Sequence, residues 1–162
     1  MKLYKQLFTN LALWGFAIFF ITITSCKITL IPAYNAELSK EISASAKKTD
    51  SFFIFMLAKS KEKTPSRAYE NFINGYADIQ VELNSLYSKN KVRPLNENST
   101  RICEIAIKFW DEYKNHHIHD DIQTTNANII LRQLYMRDIF FAMNVAEEAK
   151  KIIAQSQNTT NP

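Results

Sequence analysis

The sequence predicts an all-α fold, an antiparallel four-helix bundle made of two helical hairpins behind a cleaved N-terminal signal helix. Three observations carry this reading. From residue 36 onward apolar side chains recur at steps of three and four, the period of an amphipathic helix, and no useful strand-like alternation interrupts them. The 162 residues include only 2 Gly and 4 Pro, too few for the many tight turns of an all-β fold. The first 26 residues differ in composition from everything after them. With 46% hydrophobic and 12% aromatic residues the chain has the material for a core, which excludes disorder of the whole chain. Its length suits one domain.

Lys2 and Lys5 are the only charges before Lys27, and Leu11–Ile23 is an almost wholly apolar run of 13 residues. A basic start, a short apolar core and small residues at its end form the pattern of a secretory signal peptide. A spanning helix needs about 20 apolar residues, so cleavage is the expectation. Ile23-Thr24-Ser25-Cys26 then resembles the lipobox of bacterial lipoproteins: an aliphatic residue, a tolerant position, a small residue and cysteine. The resemblance covers residues 1–26 only. It implies that Cys26 receives a diacylglyceryl group on its thiol, that cleavage occurs just before it, and that the new amine is usually acylated as well. Several acyl chains, at about 0.8 kcal/mol per buried methylene, make a stable anchor where one chain would not. The resemblance also implies a cell-envelope location. Lys27, where aspartate would favour retention in the inner membrane, points to the outer membrane.

Residues 26–35 read as an extended tether, broken by Pro32. Asn35 is the expected N-cap of a first helix over 36–59, with Leu38, Ile42, Ala46, Thr49, Phe53 and Met56 on its buried stripe. After the charged run KSKEK, Thr64 caps and Pro65 opens a second helix, whose stripe is Tyr69, Phe72, Ile73, Tyr76, Ile79, Leu83 and Leu86. Gly75 falls within that stripe and suits a close helix approach. Pro94 ends the second helix by forcing Arg93 away from helical geometry. A third begins near Asn98 or Ser99, buries Ile102, Ile105, Ala106, Phe109, Trp110 and Tyr113, and stops in the polar stretch NHHIHDD. Asp120 or Asp121 caps the fourth, whose broad face holds Ile122, Ile129, Ile130, Leu134, Met136, Phe140, Phe141, Met143 and Val145. The expected divisions are signal peptide 1–25, tether 26–35, bundle 36–150 and polar tail 151–162. Short connections favour antiparallel neighbours.

The chemistry on offer is sparse. His116, His117 and His119, beside Asp120 and Asp121, are the only clustered metal-ligand types, but neighbouring loop residues seldom converge on one ion. Without an HExxH, a CxxC or a helical ExxH pair, the expected reading is a solvated loop and no metal. Cys103 reads as a small buried residue. Arg132, Arg137, Glu147 and Glu148 read as surface ion-pair partners. No phosphate-cradling glycine loop or nucleophile elbow is present, so no catalytic residue, no cofactor and no enzyme activity are expected.

With the signal removed, 137 residues remain with 18 positive and 16 negative side chains, too nearly neutral for nucleic-acid binding to be expected. The leading expectation is a membrane-tethered envelope protein whose helical domain binds another envelope component. The alternatives are a periplasmic small-molecule or metal-binding sensor, and an uncleaved single-pass membrane protein with a helical extracytoplasmic domain.

Overall fold

Asn35 opens the first helix as a cap should. Its backbone is extended and its side-chain carbonyl accepts from the Leu38 amide at 3.0 Å, satisfying one orphan donor of the first turn. The computed structural model describes residues 32–159. The expected signal peptide, Cys26 and most of the tether lie outside the described residues, as do the last three positions. Four helices follow: α1 Ala36–Lys59, α2 Ile73–Lys91, α3 Glu97–Asp120 and α4 Asn126–Thr159.

Contacts between helices give the topology. Between α1 and α4, Ser43 meets Asn144 and Asp50 meets Arg137, so numbers rise on one helix as they fall on the other. Lys89 with Glu41 and Lys48 with Asp78 show the same for α1 and α2. Asn90 with Cys103 and Tyr76 with His117 do so for α2 and α3, and Lys150 with Ser99 and Arg132 with Tyr113 for α3 and α4. Each helix is antiparallel to its neighbours and α4 closes back onto α1. The fold is the all-α four-helix bundle that the sequence predicts.

The buried positions follow a strict frame. On α3 they are Ser99, Cys103, Ala106, Trp110, Tyr113 and His117; from Phe72 through α2 they are Phe72, Tyr76, Ile79, Leu83, Leu86 and Asn90. On α4 they are Ile129, Gln133, Met136, Phe140, Met143, Glu147 and Lys150. Steps of four and three alternate without a break, the heptad spacing of helices packed knobs-into-holes. This frame corrects the expected faces. Ile73, Ile105, Ile130, Leu134, Phe141 and Val145 are exposed because each lies off the frame, whereas Glu147 and Lys150 lie on it and are buried.

Element boundaries also differ from expectation. Residues 65–72 form two 3-10 turns rather than the start of a helix, because Ala68 between them has ψ 138°. Thr64 does not cap; its hydroxyl donates to the Lys61 carbonyl at 2.8 Å. Asp121 does not cap α4 either. It sits at φ 41° and its carboxylate accepts from the Tyr69 amide at 2.9 Å. α3 begins at Glu97 and runs through the three histidines, so they lie on its last turns and not in a loop. α4 continues to Thr159, past the expected boundary at 150.

The core centres on Trp110, whose ring packs edge-on to Phe52 and Phe53 and tilted against Tyr76 and Tyr113. Its indole N–H donates to the Tyr76 carbonyl at 3.2 Å, so the buried polar tip is satisfied. Gly75 is what lets α1 come this close. A Cβ there would stand 2.5 and 2.6 Å from two atoms of the Phe52 ring. That ring is held by Phe53, Phe72, Tyr76 and Trp110 and has no room to turn away.

Gly75→Ala would gain about 1 kcal/mol of helix propensity, but overpacking typically costs about 1–3 kcal/mol. The expected net loss is on the order of 1 kcal/mol by denaturant unfolding. In a Phe52→Leu background the same substitution should become neutral or stabilising; an equal loss in both backgrounds would show that the ring is not the obstacle.

Candidate functional site at the two ends of the bundle

Polar residues are buried at both ends of the bundle, and each end is built differently. At the end where α1 and α3 finish, the first 3-10 turn carries Arg67 inward. Its side chain is 0% exposed. Nη1 donates to the Thr124 carbonyl at 3.2 Å; Nη2 donates to the Ser60 carbonyl at 3.0 Å and to Asn126 Oδ1 at 2.7 Å. Nε has no hydrogen-bond partner among the described residues. All three acceptors are neutral, so burial dominates and pushes the guanidinium below its ordinary pKa, against the attraction of Glu62. Buried charges are normally paired. This one is not.

His117 sits against the backbone of the same residue. Its Nε2 lies 2.8 Å from the Arg67 carbonyl, which can only accept, so Nε2 carries the proton. Nδ1 is then the acceptor, and the Tyr76 hydroxyl donates to it at 2.8 Å. The geometry fixes one neutral tautomer. Burial pushes the imidazole below its usual pKa, while the Arg67 carbonyl, Asp121 and Asp120 pull the other way. This corrects the solvated-loop expectation: His116 and His119 are exposed, but His117 is 0% exposed and engaged at both nitrogens. The three do not converge. Among the described residues no group of three His, Cys, Asp or Glu is placed to hold a metal ion.

Beside this centre lies a pocket of about 410 Å³, lined by His116, Asp120, Thr124, Asn128 and Arg132 together with the buried Tyr113 and His117. The Arg132 guanidinium lies over the Phe109 ring at 5.1 Å and the Tyr113 ring at 6.0 Å. Such stacking leaves the planar fork of N–H groups oriented for a ligand.

At the opposite end the polar groups are fully paired. Glu147 is 1% exposed. Its Oε1 accepts from the Asn35 amide at 2.7 Å and from Arg93 Nη2 at 2.9 Å; Oε2 accepts from Arg93 Nη1 at 3.0 Å and from Lys150 Nζ at 2.5 Å. Lys150 completes its donors on Asn96 Oδ1 at 2.7 Å and Ser99 Oγ at 3.0 Å. Burial alone would raise the Glu147 pKa, but these donors outweigh it and hold the carboxyl below its ordinary value. Arg93 also donates to the Ala33 carbonyl, and Glu148 accepts from the Tyr34 hydroxyl at 3.1 Å. The incoming segment 33–35 is thus tied down at three successive residues. Glu147 corrects the surface ion-pair reading; Arg137, paired with Asp50 and exposed, conforms to it. Cys103, 1% exposed, has its thiol pushed up to about 11 by burial, against the Asn90 amide at 3.4 Å.

Sequence reasoning singled out neither Arg67 nor Lys150 and placed His117 and Glu147 outside. The missed signal is the heptad frame itself. Four residues beyond Tyr113 is His117, and four and then three beyond Met143 are Glu147 and Lys150.

Two stability predictions follow from these geometries. His117→Ala leaves the Tyr76 hydroxyl and the Arg67 carbonyl unpaired and opens a cavity, and should lose on the order of 3 kcal/mol. His116→Asn and His119→Asn should each change stability by less than about 0.5 kcal/mol. Because the folded imidazole has a lowered pKa, its contribution is complete above the unfolded value of about 6.5. Below that pH the unfolded chain binds a proton that the folded chain does not, and stability falls by up to about 1.4 kcal/mol per pH unit. Urea unfolding from pH 7.5 to 5 should lose this component in His117→Gln.

Glu147→Ala strands Lys150 and Arg93 and should lose about 3–5 kcal/mol. The depressed carboxyl pKa places the wild-type contribution above about pH 4.3, to be lost as the pH falls through the folded value. A loss under 1 kcal/mol in chemical denaturation would contradict the buried pairing.

Compared with known proteins, the chain matches no protein-family model, no curated protein and no solved structure.

Proposed function

We propose that the chain is a lipid-anchored protein of a bacterial cell envelope, acylated at Cys26, whose helical bundle serves as a binding module and not as an enzyme. The observation that carries this reading is Ile23-Thr24-Ser25-Cys26 behind a 13-residue apolar run with a basic start. Two features support it. Cys26 lies nine residues before Asn35, and the bundle grips the chain at Ala33, Tyr34 and Asn35, so a pull on the anchor is resisted by Arg93, Glu147 and Glu148. Among the described residues, no helix is long and apolar enough to cross a membrane. Lys27 favours the outer membrane.

The partner in this reading is another envelope component. The outer side of α4 suits such a role, with Leu134, Phe141 and Val145 exposed along it and Phe141 70% exposed. The sensor reading is the second, and the polar pocket beside Arg132 is what favours it.

Growth with an alkyne-bearing fatty acid should label the wild-type chain and fail to label Cys26→Ser. Cys103 is buried with a raised pKa and does not compete for the label. Cys26→Ser should also leave the membrane fraction. Equal labelling of both chains would overturn the anchor.

A further inference from the structure

We propose that the pocket at the Asp120 end of the bundle binds a small zwitterion of amino-acid size, its carboxylate on Arg132 and its ammonium on Asp120. This proposal goes beyond the anchor and does not depend on it. It rests on polar groups that converge without engaging one another. Arg132 and Asp120 line the same pocket, yet among the described residues neither has an ion-pair partner within 4.0 Å. The Thr124 hydroxyl and the Asn128 side-chain amide line the same space, and neither takes part in a hydrogen bond within the described residues.

The arrangement selects among ligand classes by charge. A purely anionic ligand would meet Asp120 as well as Arg132. A purely cationic one would meet Arg132, with the uncompensated Arg67 close behind Thr124, whose carbonyl it holds. Like-charge juxtaposition of this kind rejects both. A molecule carrying both charges meets each with its complement. The volume of about 410 Å³ lies within the range of small-molecule sites and suits an amino acid with room for a side chain. Stacking on Phe109 and Tyr113 fixes the Arg132 fork before a ligand arrives, which lowers the ordering cost of bidentate carboxylate recognition. Thr124, held by its own carbonyl on Arg67, and Asn128, on the first turn of α4, supply further hydrogen bonds to the same carboxylate.

The test uses the full chain in detergent, with each standard L-amino acid added separately at millimolar concentration. Acetate and methylammonium serve as half-ligands. The expected result is that at least one amino acid raises Tm and binds by calorimetry, while neither half-ligand does so alone. Arg132→Gln should weaken that binding at least about tenfold. Asp120→Asn should weaken it similarly and let acetate bind. If Arg132→Gln fails to fold for want of its ring contacts, Arg132→Lys keeps the charge and removes the fork, and the exposed Asp120→Asn remains a clean probe. The proposal fails if no amino acid moves Tm, if acetate binds the wild type as well as any amino acid, or if Asp120→Asn binds as tightly as the wild type.

Discussion

The hydrogen bond from the Tyr76 hydroxyl to His117 Nδ1 joins the apolar centre of the bundle to its irregular end, and the rest of that end depends on it. On one side Tyr76 belongs to the core. Its ring packs on Phe52, Trp110 and Tyr113, and its carbonyl receives the Trp110 indole. On the other side His117 holds the Arg67 carbonyl, and the Arg67 side chain then fastens the Ser60 and Thr124 carbonyls and the Asn126 side chain. Residues from α2, α3, the end of α1 and the start of α4 are thereby set by one line of contacts. Gly75 stands at the head of this line, since the Phe52 ring could not reach Tyr76 past a Cβ.

Polarity is distributed along the bundle axis in a way that magnitudes explain. The middle holds mainly rings and aliphatic chains, whose burial stabilises by about 25 cal/mol per Å², and its buried Ser45 and Thr49 hydroxyls are hydrogen-bonded. A buried ion gives no such return unless it is paired and hydrogen-bonded, because removing it from water costs several kcal/mol. At the Asn35 end that condition is met, with four donors on Glu147 and three acceptors on Lys150. At the Asp120 end it is not met, because Arg67 has only neutral acceptors and an unpaired Nε. One end fastens the incoming chain; the other carries an unbalanced charge beside a pocket. Ionisable groups shifted by burial beside a cleft are a recurrent feature of functional sites.

The bundle is legible in the sequence because each helix carries apolar residues at helical spacing between clear breaks, and Asn35 and Lys59 are the first cap and the first helix end in sequence and structure alike. What was lost came from reading apolar identity instead of frame. Phe141 and Val145 look like core and point outward, whereas Gln133, Glu147 and Lys150 look like surface and are buried. The 3-10 turns were illegible for another reason. Thr64-Pro65 has the chemistry of a helix start, but burying Arg67 needs a turn that no local propensity specifies. Asp121 likewise resembles a cap, and tertiary contact with the Tyr69 amide decides its use. The pocket is not legible at all, since only the fold brings Asp120 and Arg132 to the lining of one cavity.

The most direct test of the account is the protonation state of His117, read by nitrogen-15 NMR of the imidazole across a pH series. The expected result is a neutral ring protonated at Nε2, whose titration falls below the ordinary imidazole value of about 6.5. A His117 ring protonated at Nδ1 at neutral pH, or one that titrates at or above about 6.5, would contradict it.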